Sequence, residues 1–272
     1  MKFLVDLKWT VFLLGIVCSV FAGPATVPHR VITTSPALTE IVFEIGHGDT
    51  LVAASQYSDF PEAAKSLPRI GSLFLPSLEK VLSFKPTWVL IDKEATPPLF
   101  SQQLETLKLN TLEISIRSIS DLFKEAQRID HFVFQCSFSP DVEKMRNRFF
   151  ETLKSHQKHF TFIALAWDSP VYAVGTSTFL SDLLSQIGGK NLIPAGLPAD
   201  YPQVSQEWLI KHPPDILFML HETKDYQTQL RMLATKWWPG IKTKVVILES
   251  QFFARTSFAA TDRISQLLES EL

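Results

Sequence analysis

Ser35-Pro-Ala-Leu-Thr-Glu-Ile-Val-Phe-Glu-Ile-Gly46 reads as a helix with both ends marked, and 142 residues later Ser177-Thr-Phe-Leu-Ser-Asp-Leu-Leu-Ser-Gln-Ile-Gly188 repeats its cap, acid, apolar spacing and final glycine. Ser35 offers a hydroxyl to a free N–H of the first turn, Pro36 gives up a bond that position never makes, and Gly46 takes the backbone out of the helix. A second pair follows in the same order. Ser77-Leu-Glu-Lys-Val-Leu-Ser-Phe-Lys-Pro86 lies over Ser205-Gln-Glu-Trp-Leu-Ile-Lys-His-Pro-Pro214, and each runs into an apolar strand, Trp88 to Ile91 or Ile216 to Met219. One such match is unremarkable; two in register make an internal repeat, and with it two lobes of one ancestry. The second offset is 128, so the first half carries 14 additional residues between its two helices, about the size of Leu51 to Pro68.

Around these anchors, short apolar runs alternate with helical stretches. Arg30 to Thr34, Leu51 to Ala54, Trp88 to Ile91 and Thr111 to Ile114 read as strands; Pro36 to Ile45, Leu78 to Phe84 and Leu99 to Leu107 read as helices. Such alternation predicts an α/β fold: two pseudo-repeated lobes with open, largely parallel sheets and a ligand cleft between them. A charged, helix-forming stretch over 119–159 is expected to join the lobes as a long helical connector, broken near Ser137 to Pro140. Beyond the break, Val142, Met145, Phe149 and Leu153 recur at spacings of 3 and 4. The lobes then cover 23–118 and 160–272. In the second, strands are expected at Phe160 to Ala166, Val171 to Val174 and Lys244 to Leu248, and a closing helix from about Phe258.

Lys2 and Lys8 precede an apolar run from Trp9 to Phe21, about 13 residues against the roughly 20 that a bilayer-crossing helix needs. Residues 1–22 therefore read as a signal peptide cut after Ala22, which places the mature chain outside the cytoplasm. Lipidation at Cys18 is a lesser alternative. After cleavage Cys136 is the one cysteine left, so no internal disulfide can form. The formal charge of −2 becomes −3 on loss of the leader, and no basic patch stands out, so nucleic acid is not an expected partner.

No Gly-rich phosphate loop, nucleophile elbow, His-Glu-x-x-His or paired cysteines occur. His156 and His159 stand three apart at a lysine-bearing helix end, where imidazole suits the macrodipole; no closed ligand set accompanies them, and no metal or cofactor is expected. Loops beyond the strand ends are where an open α/β sheet binds ligands. They carry Gln56-Tyr57-Ser58-Asp59-Phe60 and Gly71-Ser72-Leu73-Phe74 in the first lobe, and Trp167-Asp168-Ser169, Tyr201 and Gln251-Phe252-Phe253-Ala254-Arg255 in the second. Aromatic and sparsely charged, they suit a large, flat, partly polar organic ligand. At least one of Phe252 and Phe253 is expected in the core. An exported enzyme using Asp59, Asp168 and Arg255 is the reading from a different class.

Arg30-Val-Ile-Thr-Thr-Ser-Pro-Ala-Leu-Thr-Glu40, Ser55-Gln-Tyr-Ser-Asp-Phe-Pro61, Tyr201-Pro-Gln-Val-Ser-Gln-Glu207 and Phe252-Phe-Ala-Arg255 resemble the class III binding proteins of ABC importers, above all the cobalamin carriers among them. The resemblance spans nearly the whole mature chain. It implies a non-enzymatic, monomeric, periplasmic solute-binding protein that delivers a corrinoid, as transported ligand rather than cofactor, to a membrane permease dimer. Haem or a ferric siderophore is the alternative cargo. It implies ligand contacts from Tyr57, Leu73, Phe74, Trp167, Tyr201, Gln251 and Arg255, and docking to the permease through Glu79 and Glu207. Leu73 and Tyr201 stand where such carriers have tryptophans, and Gln251 where they have an acid. A tryptophan replaced by leucine gives up on the order of 1 kcal/mol of aromatic contact.

Overall fold

The computed structural model describes residues 29–136, 140–154 and 159–270. The expected leader, and His156, lie outside them.

The first lobe is built on a four-stranded, wholly parallel sheet. Its strands are β1 (Val31–Thr33), β2 (Leu51–Ala53), β5 (Trp88–Asp92) and β6 (Thr111–Ile114), in the spatial order β2-β1-β5-β6. A small hairpin, β3 (Gly71–Ser72) with β4 (Leu75–Pro76), stands apart from that sheet and carries Leu73 and Phe74 at its turn. Helices α1 (Pro36–Glu44), α2 (Leu78–Ser83) and α3 (Pro98–Thr106) complete the lobe.

In the second lobe the central strand is β7 (Phe160–Asp168). It pairs in parallel with β10 (Ile216–His221), which pairs in turn with β11 (Lys244–Glu249). On its other side β7 meets β9 (Gly189–Asn191) in parallel, and then β8 (Val171–Ala173) as an antiparallel hairpin. Helices α6 (Phe179–Gln186), α7 (Gln206–Lys211), α8 (Gln227–Trp237), α9 (Ser250–Phe253) and α10 (Phe258–Ser270) surround this sheet.

The repeat is visible in three dimensions. Ser77 accepts a hydrogen bond from Lys80 N and Ser205 from Trp208 N, so α2 and α7 start identically, with an acid at the second helical position of each. Helices α1 and α6 end alike too, Gly46 and Gly188 taking φ of +87° and +95°, where a side chain would be strained. Their starts differ by one residue. Ser35 caps α1 by accepting from Leu38 N, but the cap of α6 is Thr178, accepting from Ser181 N, and not Ser177. Ser177 stands one residue before the cap, and Thr178 has the same capping chemistry.

Alternation along the strands sorts the core into three parts. Ile32, Val89 and Ile91 face an outer core in the first lobe, and Ile163, Leu165, Leu217 and Met219 face one in the second. The opposite faces, Val31 and Leu90 in one sheet and Phe162, Ala164 and Phe218 in the other, belong to a single inner cluster that crosses between the lobes. What makes it continuous is α4 (Ile119–Phe134), whose Leu122, Phe123, Ala126, Ile129 and Val133 are buried at helical spacing and which packs against both α1 and α6. Next, α5 (Pro140–Lys154) buries Val142, Phe149 and Leu153 and packs against α4 and α10. The connector is thus two helices of 16 and 15 residues, of which α4 packs on a helix of each lobe. A shared apolar core makes large rotation of one lobe against the other costly, because it exposes part of that cluster.

Candidate functional site

The carboxyl ends of the strands from both sheets face a common cavity of about 830 Å³. From the first lobe it is walled by Ser35 to Leu38 at the start of α1, by Tyr57 and Asp59 after β2, by Leu73 and Phe74, by Asp92, Glu94 and Ala95 at and beyond the end of β5, and by Ile114, Ile116 and Arg117 at and beyond the end of β6. From the second it is walled by Ser177 to Leu180, Asp200, Tyr201, Glu222 after β10, and Ser250 to Thr256 after β11, Phe252 excepted.

Six of the seven ligand-contact candidates, Tyr57, Leu73, Phe74, Tyr201, Gln251 and Arg255, therefore lie on one cavity wall. Trp167 does not. Beyond Leu165, β7 continues into the hairpin with β8, where Trp167 pairs with Tyr172, and its indole N–H is turned back to donate to Ser169 O at 2.9 Å. Asp168 is held outside the cavity as well, accepting from the Tyr226 hydroxyl, whose pKa that bond helps push up to about 12. Asp59, Asp168 and Arg255 consequently share no site, and the arrangement an enzyme would need from them is not assembled. Of the paired phenylalanines, Phe253 is buried and Phe252 half-buried, its ring lying under the Arg263 guanidinium at 4.2 Å.

Tyr57, Phe74 and Tyr201 present exposed rings, at 63, 69 and 49 % of full accessibility. Such exposure leaves apolar area for a ligand to cover. Tyr57 sits at φ +68°, a left-handed conformation that a side chain adopts at some strain. Its carbonyl accepts from Arg255 Nη2 at 3.2 Å. The hydroxyl of Tyr201 is held above its usual pKa by desolvation and by neighbouring Asp200.

Two cross-lobe fastenings frame the cavity. Arg255, from the second lobe, donates from Nη1 to Glu40 Oε1 of α1 at 2.6 Å. Burial pushes the Glu40 carboxyl up, against the opposing pull of Ser257 and Arg255. Elsewhere on the cavity wall Arg117 donates to Glu94 and, at 3.0 Å, to Asp200 of the second lobe. Burial disfavours charge on Glu94, yet the hydrogen bonds from Ser115 and Arg117 outweigh it and hold its pKa below the usual carboxylate range. Asp92 goes the other way, raised chiefly by burial and further by Glu94. The Asp200 segment is seated by Gly175, whose N–H donates to Asp200 O at 2.8 Å; a Cβ on Gly175 would meet that oxygen at 2.9 Å.

Arg117, Glu94, Asp92, Asp200 and Glu222 were not singled out from sequence, although they follow strand ends or adjoin Tyr201, the positions where the strand-end rule places binding groups. Glu79 and Glu207 lie outside the cavity on exposed helix starts. No helix among the described residues is long and apolar enough to cross a membrane.

Comparison with known proteins agrees with this architecture. A vitamin B12-binding protein of Photorhabdus laumondii is 26 % identical over 260 residues, which cover 92 % of this chain and 89 % of that one. One from Yersinia pestis is 30 % identical over 247 residues, covering 88 % and 85 %. Among solved structures, the periplasmic vitamin B12-binding protein of Vibrio cholerae superposes with a TM-score of 0.76 at 21 % identity, covering 89 % of this chain and 96 % of that one. The apo periplasmic haem-binding protein of Roseiflexus sp. RS-1 does so at 0.71 and 19 %, covering 89 % and 97 %. The periplasmic binding protein family model matches residues 31–129. With the two lobes, the helix seated on both and the cleft at their strand ends, this places the chain in the periplasmic binding protein family, in the class III branch that serves ABC importers.

Proposed function

We propose that the chain binds cobalamin, or a corrinoid close to it, in the inter-lobe cavity outside the cytoplasm and hands it to the permease of an ABC importer without chemistry of its own. The observation that carries this reading is the charge of the cavity wall. Asp59, Asp92, Glu94, Asp200 and Glu222 line it, while both lining arginines are already engaged, Arg117 by Glu94 and Asp200, Arg255 by Glu40 and the Tyr57 carbonyl. Such a wall offers acceptors and repels anions. A corrin fringed with primary amides brings N–H donors to those carboxylates and a broad face to Tyr57, Phe74 and Tyr201. Haem brings two carboxylates of its own and would need a free guanidinium.

The relatives named as vitamin B12-binding proteins support the same ligand. The leader expected over residues 1–22 fits a chain working in the periplasm. For the partner, the exposed carboxylates of Glu79 and Glu207 occupy equivalent positions on pseudo-symmetric lobes, an arrangement that a two-fold permease could read.

Calorimetric titration of the chain from Gly23 with cyanocobalamin, and separately with haem and a ferric siderophore, tests the ligand. One-to-one binding of cyanocobalamin at about 1 μM or tighter, about 8 kcal/mol, is expected. Silence with cobalamin and binding of haem would overturn the corrinoid assignment.

A further inference from the structure

Just past the end of α1, whose start lines the cavity, His47 meets Asp130 and Cys136, and the three bring an imidazole nitrogen, a carboxylate oxygen and a thiol sulfur to within 4.8 Å of one another. Among the described residues this is the one such group of histidine, cysteine and acidic side chains. We propose that it is a binding site for one divalent transition-metal ion of zinc type.

The donor set argues for that class of ion. Nitrogen, oxygen and thiolate together suit a borderline metal such as Zn²⁺, whereas a hard ion such as Mg²⁺ or Ca²⁺ takes oxygen throughout. Three protein ligands leave the fourth tetrahedral position to water. The charges close as well: one carboxylate and one thiolate neutralise the two positive charges of the ion, the imidazole binding neutral and the thiol proton passing to solvent.

The geometry is built rather than loose. His47 Nε2 lies 2.9 Å from Asp130 Oδ1, and ligands each about 2.0–2.1 Å from a tetrahedral zinc stand roughly 3.3 Å apart, so that pair opens by a few tenths of an ångström to admit the ion, while the thiol sulfur, within 4.8 Å of both, closes to about 3.6 Å. The imidazole is fixed in orientation by the Phe134 ring, stacked on it at 3.7 Å and 17°. Its backbone is tied on both sides, His47 N donating to Val42 O and His47 O accepting from Thr50. Asp130 is 3 % exposed. Cys136 is folded back over the end of α4 because Gln135 takes the left-handed conformation, φ +56°, and Cys136 N donates to Asp130 O at 3.1 Å. An ion held there fastens the end of the connecting helix to the loop that leaves α1.

The test uses Zn²⁺ alone on the reduced, metal-stripped chain from Gly23, with competition against a chromogenic chelator, followed by Co²⁺ as a spectroscopic substitute. Expected are one equivalent of zinc, proton release, and a thiolate-to-cobalt charge-transfer band. Cys136→Ser should abolish the band, and both Cys136→Ser and His47→Gln should weaken zinc binding at least about tenfold, with circular dichroism and urea unfolding checking that each variant is folded. In the unaltered chain zinc should slow alkylation of Cys136, a readout that needs no variant. No zinc uptake, uptake indifferent to both substitutions, or an alkylation rate unaffected by zinc would overturn the site.

Discussion

Glu40 in α1 and Asp182 in α6 occupy the same position in the two copies of the repeat, yet they fasten the molecule in different ways. Glu40 is 2 % exposed and meets a guanidinium from the other lobe. Asp182 is half-buried and accepts from Ile119 N at 2.7 Å, satisfying one of the N–H groups that the start of α4 leaves without an intrahelical partner. One copy thus became a charged clasp across the ligand cavity, the other a cap that seats the connecting helix on the second lobe. The clasp lies where ligand binding can act on it; the cap lies in the part that holds the lobes at a fixed distance. Duplicated sequence kept the acid, and each lobe's surroundings decided what the acid does.

The clasp is where substitution should cost most. Arg255→Ala leaves the Glu40 carboxylate buried without its counter-charge, and breaking a buried pair from one side costs about 3 kcal/mol or more. Urea unfolding at pH 7 should show that loss, and the loss should shrink in acid as Glu40 takes up a proton. Equal stability of variant and parent would mean that the guanidinium contributes nothing net. Glu40→Gln gives a smaller effect with a definite pH sign. Because burial raises the Glu40 pKa above its ordinary 4.5, the folded state holds that proton more tightly than the unfolded chain. The stability contributed by this group is therefore present below pH 4.5 and is lost as pH rises through the raised value. The stability of the parent relative to Glu40→Gln should decline across that window. A rise instead would show that Arg255 outweighs burial.

The difference between the two acids also marks the limit of what sequence reveals. Capping residues, glycine ends and strand periodicity are local, which is why α2, α7, β6 and the closing helix fall within a residue or two of expectation, and why the two lobes are legible. Glu40 and Asp182 could be matched as equivalents from spacing alone. Their partners could not, since Arg255 lies 215 residues from Glu40 and Asp182 meets a backbone group that carries no sequence signature. Trp167 stands apart from the cavity wall for a related reason: a loop after a strand is expected to face the cleft, but here the strand runs on into a hairpin and carries the indole with it. Arg117, with Glu94 and Asp200, went unnoticed because each is an ordinary surface residue until two lobes bring them together.

On the other side of the comparison, Asp182→Ala removes one acceptor from a helix start, and the expected cost is about 1 kcal/mol. The variant should keep its ligand affinity, because Asp182 does not line the cavity. Loss of affinity at unchanged stability would mean that the cap sets the spacing of the two cleft walls. The contrast with Arg255→Ala is then one of kind, a clasp against a spacer.

Smallest in stability, and sharpest as a comparison of the lobes, are the paired carboxylates of Glu79 and Glu207. Each favours the start of its helix by about 0.3–1 kcal/mol, so alanine at either should hardly move the unfolding midpoint, and neither should alter ligand affinity. The lobes differ here too: Glu207 is held by Lys211 Nζ at 2.9 Å, while Glu79 has no ion pair among the described residues. If an arginine of the permease reads both carboxylates, it meets Glu79 free and must first displace Lys211 from Glu207. Uptake in cells or vesicles should therefore fall further in Glu79→Ala than in Glu207→Ala, and Lys211→Ala should raise it. Equal losses would mean that docking erases the asymmetry of the free chain. Undiminished uptake in the double variant would remove both carboxylates from the docking surface and leave them as helix-start residues alone.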